Sequence, residues 1–496
     1  MFNDKGLSRR RFTLVTGKLF AGFMAILSMP AQALAKITLS EDSIAALKKK
    51  ISGEVISPDH KYYDAWRLGM SWQQRKTDRR PEVMVQAKTV NDVVNAVLFA
   101  AENKIKVGIR SGGHSWVYSS IRDNSMLLDL RNFRDLEIDA ENMTAIVGPA
   151  ITARELASKL EEVGLGFPVA HCSTVAMGGY LLGGGQAWNW GSWGGAACNS
   201  VKALDIVNAK GEILHIDENN HSDLMWAARG AGPGFPAVVT NYHLKLYPLP
   251  KAIHMNNYVW PLADTLAVSK WQTEIGAVLS DKVELFMFLL GLAEPINGVD
   301  KVVVITGVAY AETEDEAKTL LAPMSTAKAI STPISVDEIK PMTINSLLDL
   351  VDRTYPPCRA AVDTFWFDLT MEEVMEKYVD HFAAAPSHLS NVLCEVKPKP
   401  IVIPDTAYSM RRLSYLSPYS FWLDEKDDKE NIEWMEKTQE ILAPLSVGHY
   451  VNEADLSADP SRSERSYDKE NWERIKKVKN KYDPKGLFHT YLGHES

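Results

Sequence analysis

Hydrophobic and polar residues alternate between residues 81 and 130 in a pattern that predicts short strands around one helix. Apolar runs at 83–85, 105–109 and 126–128 have the length of buried strands. Between the first two runs, residues 90–101 place apolar side chains at helical spacing, with Thr89 and Asn91 near the expected cap. The pattern indicates an α/β unit, which a strand at 145–147 and a helix at 152–163 repeat.

The later part of the chain predicts a second domain of α+β type. Strands at 201–207 and 213–216 flank a turn at Gly211, and Pro248 and Pro250 then interrupt the chain. The elements expected beyond them are helices at 264–279 and 313–321, a strand at 302–308 and a charged helix at 471–481.

Length and charge limit the class of protein. The chain has 496 residues, which at ~150 residues per domain suggests two or three domains. Its net charge of -9 argues against a nucleic-acid partner, because phosphate binding needs clustered Lys and Arg. Four scattered cysteines are too few for a disulfide scaffold, although an oxidising compartment would permit one bridge. No close-spaced Cys or His cluster predicts a metal site.

The amino terminus resembles a twin-arginine export signal over residues 1–35. Arg9, Arg10 and Arg11 precede an apolar run at 19–29, and small residues at 33–35 suggest cleavage before Lys36. The alternative is a membrane anchor, but the run is short of the ~20 apolar residues that a spanning helix needs. We therefore expect the twin-arginine export machinery as a partner, a periplasmic or secreted location, and no stable membrane anchor.

A glycine-containing loop follows the strand at 105–109. Consecutive glycines let backbone N–H groups turn inward together and form a nest for a pyrophosphate. Taken alone, the motif is equally an ordinary turn with a solvated histidine. The loop reads Arg110-Ser111-Gly112-Gly113-His114-Ser115.

A second motif follows some sixty residues later. It consists of Cys172-Ser173-Thr174-Val175, then Gly178-Gly179, then Gly183-Gly184-Gly185. Together the two motifs resemble berberine bridge enzyme-like FAD-linked oxidases, which belong to the vanillyl-alcohol oxidase or PCMH-type superfamily. The resemblance implies bicovalent FAD, with His114 bonded to the flavin 8α-methyl carbon and Cys172 to C6. The other cofactor-binding residues that it implies are Arg110, Ser111, Gly112, Gly113, Ser115, Val175, Gly178, Gly179, Val239 and Asn452.

The resemblance extends along much of the chain and implies an α+β fold. It continues through residues 223–232 and 238–240, and it returns near the carboxyl end at 450–452, 471–474 and 482–488. The fold implied is a PCMH-type FAD-binding domain of two subdomains joined to a substrate domain, whose antiparallel sheet is covered by helices. The expected bounds are 75–250 for the FAD-binding domain, 251–450 for the substrate-binding domain and 451–496 for a berberine-type segment returning to the FAD domain.

Tyr450 is the leading candidate for the general base, because the family places the tyrosine of its Tyr-x-Asn segment over the flavin. An ordinary tyrosine pKa near 10 is too high for this task, so either a positive charge, such as Arg411 or Arg412, or hydrogen bonds to the anionic form would have to lower it. The alternative is a tyrosine that simply packs in a strand. Tyr415 and Ser417 align with substrate-facing residues of the family and could orient or deprotonate the substrate.

Two carboxylates and two further positions complete the candidates. Asp368 and Glu395 lie in apolar, strand-like runs, where a structural acid is favoured over a base. Oxygen-reactive members of the family carry a valine at the position of Val175, which favours an oxidase, although a small core residue is the alternative. Gln186 stands where the family often has an aromatic residue, sometimes a catalytic tyrosine, and so removes a second tyrosine base.

The resemblance implies oxidation of an alcohol by hydride transfer to flavin N5, with oxygen as acceptor and hydrogen peroxide as product. Aromatic faces stack on sugars and on planar phenols, so the substrate would be an oligosaccharide at its anomeric hydroxyl, or an aromatic or secondary alcohol. The rivals are a dehydrogenase using a quinone or cytochrome, a different flavin oxidation such as ring closure, and a non-catalytic periplasmic carbohydrate-binding protein. The indoles that suggest such stacking are Trp116, Trp188, Trp190, Trp193, Trp366 and Trp422.

Overall fold

The computed structural model describes residues 39–396, 404–459 and 461–494. The export signal predicted at 1–35 lies outside these ranges. Within them, no helix is both long enough and apolar enough to cross a membrane. The four cysteines all lie inside the described ranges and are all free, so the permitted disulfide is not formed.

In the described ranges the helices are α1 Glu41–Lys50, α2 Tyr63–Leu68, α3 Val90–Asn103, α4 Ala153–Glu161, α5 Met177–Leu182, α6 Ser222–Ala228, α7 Thr265–Gly276, α8 Glu314–Leu321, α9 Ile344–Thr354, α10 Met371–Ala383, α11 Asp428–Leu442, α12 Ser461–Arg465 and α13 Lys469–Tyr482. The strands are β1 Glu54–Ile56, β2 Val83–Gln86, β3 Lys106–Arg110, β4 Ser125–Asp129, β5 Leu136–Asp139, β6 Thr144–Val147, β7 Leu165–Gly166, β8 Val201–Asn208, β9 Ile213–Ile216, β10 Ala237–Lys245, β11 Tyr247–Pro248, β12 Ala252–Pro261, β13 Val283–Ile296, β14 Val299–Ala311, β15 Ser335–Met342, β16 Arg359–Val362, β17 Phe365–Phe367, β18 Asn391–Val396 and β19 Ser414–Trp422.

Two sheets form the amino-terminal half. The first has the order β1-β2-β4-β3, in which β4 is parallel to both β2 and β3. The second has the order β5-β6-β10-β8-β9 and is antiparallel throughout. A capping box between Thr89 and Asp92 begins α3, which crosses from β2 to β3 and makes the first sheet a βαβ unit.

The second half is built on an antiparallel sheet of eight strands. Its order is β15-β12-β14-β13-β18-β19-β16, and β17 pairs with β19 beside β16. Helices α7, α10 and α11 cover one face of it, and their apolar side chains share one buried cluster with strands β13 and β18. This architecture confirms the predicted α+β class, with an antiparallel sheet covered by helices.

The elements predicted from the sequence pattern lie close to where the structure has them, but several others were not predicted, among them β1, α10 and α11. The predicted helix at 90–101 is α3, and the predicted strands at 201–207 and 213–216 are β8 and β9. The first sheet begins with β1, which lies upstream of the expected domain start at residue 75 and pairs with β2. At the carboxyl end, the backbone N–H of Val107 donates to the carbonyl of Leu487 at 2.8 Å, so the last described segment returns to β3.

A buried ion pair ties α12 to the large sheet. Arg462 Nη1 lies 2.5 Å from Asp363 Oδ2, and the two side chains are 5% and 0% exposed. Asp363 also accepts a hydrogen bond from Gln439 Nε2 at 2.9 Å. Burial raises the pKa of Asp363 even though Arg462 opposes the shift. A carboxylate in this position depends on its partner, because burying an unpaired charge is costly.

We expect Arg462→Met to lower the free energy of unfolding by about 3–5 kcal/mol, because it leaves Asp363 buried without a positive charge. Denaturant unfolding measures the loss. The matched control is Lys429→Met, which breaks an exposed pair with Glu433 at 3.7 Å and should change stability by less than about 1 kcal/mol. Equal unfolding midpoints for the two variants would show that the buried ion pair contributes no more to the free energy of unfolding than the exposed one.

Candidate active site

One cavity of about 530 Å³ connects the two halves of the fold. Its walls come from the loop after β3, the start of α5, strand β10, the inner faces of β13 and β14, and the segment 450–456. All the residues predicted to bind the cofactor line this cavity, namely Arg110, Ser111, Gly112, Gly113, His114, Ser115, Cys172, Val175, Gly178, Gly179, Val239 and Asn452. Tyr450 lines it as well, whereas Tyr415 and Ser417 do not.

The loop that carries His114 requires its two glycines for different reasons. Gly113 has φ of +71°, and a Cβ there would lie 2.4 Å from the carbonyl oxygen of Met70. A Cβ at Gly112 would lie 2.5 Å from the Cβ of Ala176, just before α5. Close packing of the two motifs therefore depends on residues without side chains.

The start of α5 provides a cradle for a ligand. A Cβ at Gly179 would meet no protein atom within 4 Å, although this residue lies in the wall of the cavity. A Cβ at Gly178, in contrast, would lie 2.5 Å from Ser111 Oγ. Backbone without side chains at these points leaves room for a bulky group such as a pyrophosphate, so the residues present fit FAD.

His114 and Cys172, 58 positions apart in the sequence, lie side by side. Cys172 Sγ is 3.6 Å from His114 Nε2, and Nε2 is 3.0 Å from Thr174 Oγ1. Burial lowers the pKa of His114 to about 4, which leaves a neutral imidazole at neutral pH. Burial raises the pKa of Cys172, whose thiol lies 3.7 Å from Asp352 Oδ1 on α9. A neutral imidazole and a thiol are thus presented at one end of the cavity.

The side chain of Arg110 serves the fold. Its guanidinium donates to Asp129 Oδ2 at 2.7 Å and to the backbone carbonyls of Arg67 at 2.6 Å and Trp66 at 2.9 Å. These three contacts of Nη1 and Nη2 hold β3 to β4 and to α2, while the buried Nε has no hydrogen-bond partner among the described residues. Arg110 lines the cavity at the end of β3, directly before the glycine loop.

Tyr450 accepts hydrogen bonds from three N–H groups. The backbone N–H groups of Gly185 and Gln186 and the Asn452 Nδ2 each lie 3.1 Å from its hydroxyl oxygen. Burial and the nearby Glu453 nevertheless raise the pKa of Tyr450 far above its ordinary value, against the effect of these donors. The phenol is thus protonated at neutral pH.

The two arginines expected beside Tyr450 point elsewhere. The guanidinium of Arg412 donates to Asp468 at 2.8 Å, and that of Arg411 lies 5.5 Å from the ring centre of Trp190. None of the contacts to the Tyr450 hydroxyl comes from a guanidinium. The expected lowering of its pKa by Arg411 or Arg412 is therefore wrong.

Glu453 is the functional candidate that sequence reasoning missed. Its Oε2 accepts hydrogen bonds from Tyr419 at 3.1 Å, from Tyr415 at 3.4 Å and from Ser417 at 3.4 Å. Burial raises the pKa of Glu453 to about 7, although these hydroxyls oppose the shift. The available signal was an acid directly after the Tyr-x-Asn segment, although Asp455 follows it two residues later.

Tyr415 and Ser417 act through Glu453. Both residues lie on β19 and are fully buried. Alternate residues of a strand point to the same face, so Tyr415, Ser417 and Tyr419 converge on the same carboxylate. Neither residue lines the main cavity, and the ring of Tyr415 packs at 4.6 Å against Trp366, so their contact with the substrate stays a prediction. The structure makes them positioning residues for Glu453.

A smaller chamber of about 110 Å³ adjoins the main cavity and shares His171, Gln186 and Phe286 with it. Four hydrogen-bond donors in its wall are buried without an acceptor in the structure. They are Gln186 Nε2, Trp366 Nε1, Tyr408 Oη and Arg411 Nη1. Glu395 is buried in the same wall, whereas the other acid considered from the sequence, Asp368, is exposed.

The six indoles divide between cavity and core. Trp116 and Trp188 line the main cavity, and Trp190 and Trp366 line the smaller chamber. Trp193 and Trp422 are buried away from both spaces, and Trp422 Nε1 donates to Asp428 at 2.6 Å. Four of the six are thus placed where a ligand could contact them.

Comparison with known proteins gives the family. Residues 81–217 match the model of an FAD binding domain, and residues 449–493 match that of the berberine and berberine-like segment. The FAD-linked oxidoreductase janO of Penicillium janthinellum is 30% identical over 426 residues, which is 85% of this chain and 93% of that protein. The chain belongs to the berberine-like FAD-linked oxidoreductases. It is therefore an FAD-dependent enzyme.

Solved structures agree with the fold of this oxidoreductase. The 6-hydroxy-D-nicotine oxidase of Arthrobacter nicotinovorans matches with a TM-score of 0.77 and 21% identity, covering 90% of this chain and 98% of that one. The BBE-like 1 protein of Physcomitrella patens matches with a TM-score of 0.77 and 19% identity, covering 92% and 99%. At these identities the likeness establishes the architecture.

Proposed function

We propose that this oxidoreductase oxidises an alcohol and that Glu453 accepts the hydroxyl proton. One observation carries the proposal: a carboxyl with a pKa of about 7 lines the same cavity as His114 and Cys172. A general base works best when its pKa lies near the operating pH, because it is then both ionised and basic. Tyr450, the base predicted from the sequence, has its pKa shifted in the opposite direction from the one required.

FAD is held, in this proposal, by two covalent bonds. Bound FAD supplies the oxidising power by accepting the electron pair of the substrate C–H bond. The 8α-methyl group is attached to the flavin ring that contains C6. The two protein side chains bonded to these positions must therefore lie close together. The 3.6 Å between Cys172 Sγ and His114 Nε2 supports double attachment, and the neutral imidazole of His114 is a nucleophile.

The proton chemistry is assigned to two residues. Ionised Glu453 takes the proton of the substrate hydroxyl as that O–H bond breaks, while Tyr415, Ser417 and Tyr419 keep the carboxylate in place. Tyr450 accepts three N–H bonds, so its own O–H is the group left to donate toward the substrate oxygen. Tyr450 then orients the alcohol and Glu453 deprotonates it.

The smaller chamber favours a substrate rich in oxygen. Buried donors without acceptors are costly unless a ligand or water satisfies them, and four of them share this space with the indoles of Trp190 and Trp366. Hydroxyl and ether oxygens would accept from these donors, while ring faces would pack on the indoles. We therefore place an oligosaccharide, oxidised at its anomeric hydroxyl, ahead of an aromatic or secondary alcohol.

Purified enzyme tests this proposal directly. We expect the denatured chain to stay yellow and to carry the added mass of one FAD, with a peptide that links His114 to Cys172. Under anaerobic conditions, an oligosaccharide should bleach the flavin absorbance, and admission of air should restore it with one hydrogen peroxide per turnover. Colourless protein would favour a carbohydrate-binding protein, and bleaching that only a quinone or cytochrome reverses would favour a dehydrogenase.

Oxygen as the electron acceptor rests on Val175, which is half-buried in the cavity wall. We expect Val175→Leu to slow reoxidation by oxygen while leaving anaerobic reduction by the substrate unchanged, because the larger side chain fills the space that oxygen needs. Stopped-flow measurement separates the two half-reactions, and Val163→Leu, at an exposed position outside the cavity wall, is the control. Unchanged oxygen reactivity in Val175→Leu would contradict this assignment.

A further inference from the structure

Three side chains with metal-ligand chemistry meet on the five-stranded sheet, outside the cavity. Asp205 Oδ1 lies 2.7 Å from His215 Nδ1, and Asp205 Oδ2 lies 3.0 Å from His243 Nε2. One ligand atom from each of the three residues lies within 4.8 Å of the others. Their side chains are 28%, 50% and 26% exposed, in the order Asp205, His215 and His243, so the group is accessible to solvent.

The register of the sheet explains how distant residues come together. Asp205 lies on β8, between β9 and β10, and pairs directly with His215 on β9 and with Asn241 on β10. His243 follows Asn241 by two residues and therefore lies on the same face. Tyr242, the neighbour of His243, points to the opposite face and lines the flavin cavity. The three ligands therefore lie on the outer face of the sheet, separated from the cavity by the sheet itself.

We propose that Asp205, His215 and His243 form a binding site for a divalent transition-metal ion of the Zn²⁺ type. Two imidazole nitrogens and one carboxylate oxygen are ligands that Zn²⁺ prefers, and water would complete a tetrahedral site on the exposed side. The two hydrogen bonds use different oxygens of Asp205, whereas a tetrahedral ion with bonds of about 2.0–2.1 Å holds its ligand atoms about 3.3 Å apart. Binding therefore requires side-chain movements that bring one carboxylate oxygen and the two ring nitrogens to that spacing and replace the two hydrogen bonds by metal–ligand bonds.

The site would fasten the edge of the sheet. Strand β9 ends the order β5-β6-β10-β8-β9 and is paired on one side only. A metal ion held by β8, β9 and β10 adds a second connection between the edge strand and the sheet interior. Any ion that binds the folded chain and not the unfolded one raises its stability. The sequence alone predicted no metal site, because the ligands are spread over residues 205–243 instead of standing close together.

Zinc titration of the untagged, flavin-loaded enzyme tests the site. Flavin-loaded protein is required because free His114 and Cys172 could themselves bind zinc. After chelator treatment and dialysis, we expect calorimetry with ZnCl2 to show one site and differential scanning to show a Tm raised by a few degrees. CaCl2, which prefers oxygen ligands, should give neither signal.

Three variants decide whether the named residues are the ligands. His215→Ala and His243→Ala should each lower zinc affinity by at least about tenfold, and Asp205→Asn should weaken it while preserving a polar group. The control is His388→Ala, which removes an exposed histidine far away in the sequence and should leave zinc binding unchanged. The Tm of each variant in chelator shows that it is folded. Equal affinity in all four variants, or no saturable zinc binding to the parent enzyme, would overturn the proposal.

Discussion

Glu453→Gln is expected to lower kcat by about 10²–10⁴-fold, which is the usual contribution of a general base. The substitution keeps the size of the side chain and its ability to hydrogen-bond with Tyr415, Ser417 and Tyr419, but it removes the group that takes the proton. Steady-state kinetics with the best substrate measures the loss. The flavin spectrum and its attachment should be unchanged, since Glu453 is not one of the proposed attachment points.

The pH profile gives a second, independent signature of this base. Burial raises the pKa of Glu453 to about 7, so the carboxyl is protonated and inactive below that pH. We therefore expect kcat/KM to fall by about tenfold for each pH unit below pH ~7 and to level off above it. We call this fall of kcat/KM below pH ~7 the acid limb. In Glu453→Gln the acid limb should disappear, and only a slow, nearly pH-independent rate should remain.

Two control variants separate Glu453 from its neighbours. Glu395→Gln alters a buried acid of the smaller chamber, and we expect it to affect KM more than kcat. The acid limb should persist but move to lower pH, because the charge of Glu395 helps to raise the pKa of Glu453. Tyr450→Phe removes the orienting hydroxyl and should lower kcat without removing the limb. If Tyr450→Phe abolished the limb and Glu453→Gln did not, the tyrosine would be the base after all.

The cofactor half of the site was predictable because its signal is local in the sequence. Glycines at Gly112 and Gly113, required by close packing, stand next to His114, and a similar run follows Cys172. Each motif can be read from a few consecutive residues. That Cys172 Sγ comes within 3.6 Å of His114 Nε2 is then a consequence of packing the first sheet against α5.

The proton-transfer half was not predictable in the same way. The environment of Glu453 depends on β19, whose three hydroxyls reach the carboxylate only because strand alternation places them on one face. Tyr415 and Ser417 were singled out from the sequence, but their hydrogen bonds to Glu453 could not be predicted from it. Likewise, the cluster of Asp205, His215 and His243 exists only through the register of three strands.

Several elements were not predicted from the pattern, and the shortest of them carry little signal of their own. Strand β1 has only three residues, Glu54–Ile56, too few for an alternating pattern to stand out from the surrounding loop. Its place in the sheet comes from pairing with β2 rather than from its own sequence. The charge environment of Tyr450 was also misjudged, because Arg411 and Arg412 are near in the sequence to β19 but contact Trp190 and Asp468 instead.

Removal of both attachment points should convert a permanently yellow protein into one that loses its colour when unfolded. In the double variant His114→Ala, Cys172→Ala we expect all flavin to separate from the chain in acid or denaturant, because no covalent bond then remains. Each single variant should retain its flavin through the other residue, since the two bonds form on different ring atoms. Gel fluorescence and mass spectrometry of the denatured chain measure retention.

The single variants also distinguish chemistry from structure. Loss of one ring substituent should make the flavin a weaker oxidant, so each single variant should oxidise substrate more slowly while its fold and Tm change little. Cys198→Ala, which alters a fully buried cysteine outside the cavity wall, is the matched control and should leave retention, rate and spectrum unchanged. Flavin that washes out of the unfolded parent enzyme would disprove double attachment, and flavin retained by the double variant would mean that another residue forms the bond.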